Sequence, residues 1–234
     1  MSAKEVIVQL QSFANFERKK INERFFKSGP GQYSEHDQFI GVRVPQIRLI
    51  AKQHFKRIEF SEIDQLIIHP IHEVRFCALI ILMNLYQTNN QEIVFSYYLE
   101  NISSVNNWDL VDTTVPAIIG DYLLNHSTKT ALLFKWAASD DLWKRRIAIV
   151  ATFAFIRQNQ FKLTLSISKI LLKDKEDLIH KAVGWMLREV YKKDLNICTV
   201  FLRENYAQLP RTTLRYAIER MPEIDRKAYL KGTF

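Results

Sequence analysis

The chain has 234 residues, 47% of them hydrophobic and 25% charged, with a formal net charge of +8 and a pI near 9.4. That length and apolar content suffice for a sizeable core, and the basic balance points to a polyanionic partner. Two cysteines are too few for a disulfide-stapled scaffold, and no apolar run is long enough for a membrane-spanning helix.

Met1-Ser2-Ala3-Lys4-Glu5 leads into an amphipathic helix rather than a signal sequence, so a cytoplasmic location is expected. The Gly/Pro-rich stretch Lys27 to Asp37 follows. It reads as a connector, or as a cradle for phosphate around Gly29 and Gly31. It is no Walker motif, because Gly31 is not followed by Gly-Lys-Ser/Thr. His69, His72 and Cys77 invite a metal reading, but His69-Pro70-Ile71-His72 lacks a second ligand pair at suitable spacing. Cys77 and Cys198 read as core thiols. No metal and no cofactor are expected.

From there on a pattern recurs. Small or branched apolar residues follow a basic one in Val74-Arg75-Phe76-Cys77-Ala78, Arg145-Arg146-Ile147-Ala148, Lys181-Ala182-Val183-Gly184 and Arg215-Tyr216-Ala217-Ile218. The period is roughly 35 residues, with one unit missing near Asp109 to Asp112. Each unit reads as two apolar segments of helical period around a polar break such as Asn89-Asn90-Gln91-Glu92. Pro70, Pro116, Pro210 and Pro222 punctuate the chain. The expectation is all-α: a single domain over residues 1–234, built as a curved solenoid of helix pairs and lined by the second helix of each. The alternative is a non-repetitive bundle whose spacing is fortuitous.

The missing unit holds the most telling residues, Asn107-Trp108-Asp109-Leu110-Val111-Asp112. Trp108 and Asp112 are one helical turn apart and share a face. One and two repeats later come Arg146 and Trp185, which parallel stacking would bring to the same strip. Basic residues cluster there too (Lys144, Arg145, Lys181, Arg188) with Trp143, Tyr191 and Tyr216 interleaved, a footprint suited to a nucleic-acid backbone. A carboxylate, a guanidinium and two indoles fit a sugar acquiring positive charge beside a phosphate. As a glycosidic bond stretches the sugar gains positive charge, so a fixed carboxylate beside it stabilises the transition state selectively. Asp112 would oppose that charge and hold the attacking water. Trp108 and Trp185 would stack on the sugar, and Arg146 would grip a phosphate. Whether the base stays stacked or flips is open.

Trp108-Asp109-x-x-Asp112, Trp143-x-x-Arg146 and Gly184-Trp185-x-Leu187-Arg188-Glu189 resemble the HEAT-like-repeat DNA alkylation repair glycosylases, the AlkD family. The likeness runs from Phe39-Ile40-Gly41-Val42-Arg43-Val44-Pro45 to Arg215-Tyr216-Ala217-Ile218-Glu219. It implies a C-shaped stack of helix pairs around duplex DNA and hydrolysis of the N-glycosidic bond of N3-alkyladenine and N7-alkylguanine; a monomer is expected. It also implies a catalytic role for Asp112, sugar contacts for Trp108 and Trp185, and a phosphate contact for Arg146. The Lys27 to Asp37 stretch is longer than the AlkD pattern, which suggests a sister branch. Other readings of these residues stay open. Asp109 and Asp112 can serve a helix N-terminus, Arg75 and Arg145 can be rungs of an arginine ladder, and Trp136, Trp143 and Trp185 can be core. The alternatives to a glycosylase are a non-catalytic module for branched or damaged DNA and a protein-binding scaffold.

Overall fold

The computed structural model describes residues 2–88 and 90–234. Met1 lies outside the described residues, as does Asn89 in the expected polar break. The described residues are helical throughout apart from turns and one isolated parallel bridge, Gln38 to Ile71. No helix among them is long and apolar enough to cross a membrane. The chain forms two compact units, one ending at Leu110 and the other starting at Val111.

The expected period is visible in where helices begin. Helices His72–Tyr86, Trp108–Val115, Leu142–Ala151, Asp177–Lys193 and Arg211–Ala217 start at intervals of 34 to 36 residues. Their shared start position, rather than any one motif, is the repeat.

In the first unit, Ala3–Ser12, Val44–His54 and Phe60–Ile67 pack around His72–Tyr86. Ser2 caps the first of these: its hydroxyl accepts from the Glu5 amide while the Glu5 carboxylate accepts from the Ser2 amide, which satisfies two otherwise orphaned donors. Helix His72–Tyr86 is buried on nearly every side, from Val74 through Leu82, as its all-round apolar sequence requires. Phe16–Phe25 is the opposite case. It buries no residue and leaves Phe16, Ile21 and Phe25 exposed.

In the second unit, Ala131–Ala137 packs on Leu142–Ala151, and Lys162–Leu171 and Leu195–Glu204 flank Asp177–Lys193. The second helices stack directly on one another, Leu142–Ala151 on Asp177–Lys193 and that on Arg211–Ala217. Gly184 permits the last contact: a Cβ there would lie 2.5 Å from Tyr216 Cβ and 2.6 Å from the Thr213 carbonyl oxygen. Pro116, one of the expected punctuation points, directly follows the last residue of Trp108–Val115. It opens a π-helical turn, Pro116–Gly120, between the helices Trp108–Val115 and Asp121–Asn125. Proline lacks the amide that an α-turn would use, and a π-turn absorbs that loss without breaking the rod.

Candidate functional site

Three consecutive basic residues on Leu142–Ala151 have three different fates, because each step along a helix turns the side chain by about 100°. Lys144 stays half-exposed, with Asp141 4.0 Å away. Arg145 is committed to structure: its Nε donates to Asp174 at 2.6 Å and its Nη1 to the carbonyls of Ser139 and Asp140. Arg75, seventy residues earlier, donates to the carbonyls of His69 and Pro70, the same two offsets, and to Asp37. These are the ladder arginines. Arg145 was expected among the DNA contacts, and its guanidinium is occupied instead.

Arg146 is buried, with 5% of its surface exposed. Its Nε donates to Asp112 Oδ1 at 3.0 Å and its Nη2 to Asp112 Oδ2 at 2.7 Å, while Nη1 donates to the Leu178 carbonyl. One side chain thus joins three successive repeats, at offsets of 34 and 32 residues. A two-pronged guanidinium–carboxylate bond fixes both the position and the plane of the carboxylate. The Asp112 side chain keeps 20% of its surface exposed. The sequence reading placed Arg146 on a phosphate, whereas here its donors hold Asp112 and a backbone oxygen.

Trp185 is half-buried on Asp177–Lys193, its ring tilted against Phe153 at 5.7 Å between centroids. Of the other expected DNA contacts, Lys181 is half-exposed and 2.8 Å from Asp177. Arg188 is engaged by Glu219, with Glu189 3.7 Å from its Nε.

Trp108, in the first unit, has an aromatic setting that residue spacing did not reveal. Phe26 stacks on its indole at 5.2 Å and Phe25 meets it edge-on at 5.6 Å. Phe39 stacks in turn on Phe26. The one available signal was the basic–aromatic run Arg24-Phe25-Phe26-Lys27, far from Trp108 in sequence. The segment between, Lys27 to Asp37, is a folded plug. The amides of Gly29 and Gly31 already donate to the side chains of Gln32 and Glu35, so they form no phosphate cradle. The plug delivers Ser34 and Asp37 to the interior instead.

There Asp37, Arg75, His72, Asn107 and Asp109 make a buried network. His72 lies between two carboxylates, Nε2 2.8 Å from Asp109 and Nδ1 3.3 Å from Asp37. Burial works against the imidazolium, but Asp109 and Asp37 together outweigh it and raise the His72 pKa to about 9. Burial likewise opposes ionisation of Asp37, yet His72, Arg75 and Ser34 hold its carboxyl well below the usual range. Neither His69 nor Cys77 joins them: His69 accepts from the Ile71 amide, and burial pushes the Cys77 thiol up to about 12.

The His72 pKa is raised above its ordinary 6.5, so its stabilisation is complete below that pH and is lost as pH rises through about 9. The loss is on the order of 3 kcal/mol. Urea titrations at pH 7 and pH 9.5 should show it, and His72→Gln should flatten the difference. An equal pH response in both proteins would remove His72 as the cause. Asp37 and Asp109, with Arg75 beyond Asp37, are the charged groups facing the imidazole.

The sequence model of the family described as DNA alkylation repair enzyme matches residues 6–221. The chain belongs to that family. Among solved structures, a protein described as "Predicted DNA alkylation repair enzyme from Enterococcus faecalis" aligns with a TM-score of 0.72 at 18% identity, over 90% of this chain and 97% of that one. AlkD2 from Streptococcus mutans aligns with a TM-score of 0.53 at 18% identity, over 94% and 99%. At that identity both likenesses speak for the fold. No curated protein matches significantly. The DNA alkylation repair family therefore accounts for the all-helical repeats, and its name carries a repair enzyme's role acting on DNA.

Proposed function

We propose that this member of the family is a DNA glycosylase that hydrolyses the N-glycosidic bond of cationic alkylpurines, N3-alkyladenine and N7-alkylguanine, in duplex DNA. It would act as a cofactor-free monomer in the cytoplasm and open base excision repair. The observation that carries the reading is the clasp of Asp112 by the buried Arg146. It fixes the position and plane of a carboxylate at a partly exposed place, which is what a developing sugar cation needs. Arg146 then serves as a positioning residue. Trp185 and Trp108 would supply the aromatic faces for the sugar and its neighbours. Lys144 and Lys181 would meet phosphates, with Arg145 and Arg188 contributing field more than contacts.

The direct test is incubation with methylated genomic DNA, followed by chromatography of released bases. N7-methylguanine and N3-methyladenine should appear with time. No release, with duplex binding intact, would make the protein a non-catalytic DNA-binding module. Binding to undamaged duplex should weaken steeply between 50 and 200 mM salt, by about 10²-fold or more if several phosphates are contacted. Salt-insensitive binding, or none, would favour a protein scaffold.

A further inference from the structure

Arg75 and Arg145 occupy equivalent places, each tied to two carbonyls and one aspartate. That suffices for the repeat around Arg145, where the position equivalent to His72 is Leu142. The repeat around Arg75 has more: His72, Asp109, Asn107 and Ser34 extend the arrangement. These additions end at the start of one helix. Arg75 donates to Asn106 at 3.3 Å, Asn107 donates to Asp37 and Ser34 at 3.0 Å each, and His72 holds Asp109. Asn107 and Asp109 pass the constraint to the backbone, accepting from the amides of Trp108 and Leu110 at 2.8 Å.

The imidazole reaches Trp108 by a second route. Its ring lies 5.1 Å from Phe26 and 4.9 Å from Phe39, the two members of the stack on which the indole rests. His72 therefore supports Trp108 through the backbone beside it and through the ring beneath it. Scaffolding alone explains neither the extra groups nor their common destination.

We propose that His72, bridging Asp37 and Asp109, is a positioning residue for Trp108, setting the indole's orientation for the DNA it meets. The proposal rests on the reading of Trp108 as a DNA-contacting residue. A contact that must be held within a fraction of an ångström needs its supporting residues locked by packing and hydrogen bonds. His72 supplies both.

The test uses His72→Gln, with Asp109→Asn as a milder variant in case the first folds poorly. Trp108 emission and acrylamide quenching are obtained by difference against the same proteins carrying Trp108→Phe. Both variants should alter the Trp108 signal with undamaged duplex bound, while the other tryptophans stay unchanged. Single-turnover base release at saturating enzyme should fall about tenfold in His72→Gln, as a misplaced contact does, with duplex affinity nearly unaffected. Variants that melt earlier but keep the wild-type Trp108 signal and release rate would overturn the proposal. If the wild type releases no base, the glycosylase reading fails separately, and the Trp108 signal on bound duplex still decides: altered supports positioning by His72, unaltered refutes it.

Discussion

Asp112→Asn is expected to slow single-turnover base release by about 10²- to 10³-fold and to destabilise the protein by more than the roughly 1 kcal/mol that a change of helix cap costs. A carboxylate about 4 Å from the nascent sugar cation is worth on the order of 4 kcal/mol at an effective dielectric near 20. The Arg146 guanidinium, one carboxylate further off at about 7 Å, opposes the sugar charge with roughly 2 kcal/mol, but does so in wild type and variant alike and drops out of their difference. The carboxylate's contribution is an upper bound at a partly exposed position, and a loss of about 3 to 4 kcal/mol corresponds to 10²- to 10³-fold. The stability effect comes from the other partner. Asparagine leaves Arg146 charged, buried and short of its counter-ion, which costs about 3 kcal/mol when one member of such a pair is removed. The double variant Asp112→Asn with Arg146→Met should recover much of the stability and none of the activity. Melting temperatures and release rates measured on the same samples separate the effects. Release by Asp112→Asn at the wild-type rate would remove the carboxylate from the chemistry, whatever happened to stability.

Gly184→Ala should be strongly destabilising in the second unit. The new Cβ would meet Tyr216 Cβ at 2.5 Å and the Thr213 carbonyl oxygen at 2.6 Å, and a backbone oxygen cannot swing aside. Helices Asp177–Lys193 and Arg211–Ala217 must separate, at a cost of about 3 kcal/mol by comparison with other overpacked contacts. Trp185, next in the chain, would move with its helix. The expected result is a lower urea midpoint at unchanged slope. A midpoint shifted by less than about 0.5 kcal/mol equivalent would mean the two helices slide apart freely.

The repeat was legible from the sequence because a recurring helix start leaves a recurring chemical mark: a basic residue followed by small or branched apolar ones. Asp112 and Arg146 were legible as members of one site for the same reason, since their spacing of 34 residues is one period. What that pair does with its charges was not. Lys144, Arg145 and Arg146 are nearly alike as letters, and only the helix phase sends one to solvent, one to Asp174 and one to Asp112. The ladder role considered for Arg145 agrees with its bonds to Asp174 and to the Ser139 and Asp140 carbonyls. The Lys27 to Asp37 stretch was illegible for another reason. Glycine-rich composition advertises open amides, but Gln32 and Glu35 close them locally, and the plug's cargo, Asp37, finds Arg75 through the fold alone. Phe25 and Phe26 could be read as aromatic, not as neighbours of Trp108.

The π-turn at Pro116–Gly120 has a consequence for how this site can change over evolutionary time. One residue of slack in a helix is worth about 100° of rotation, so the turn uncouples the angular setting of Asp112 from that of Tyr122 and Leu123, which are buried further along. Core substitutions around those residues can accumulate, and be compensated there, without re-aiming the carboxylate. Deleting one residue between Pro116 and Gly120 would remove that independence at a stroke. Selection would then have to tune the Asp112 carboxylate and the packing of its neighbours as a single trait.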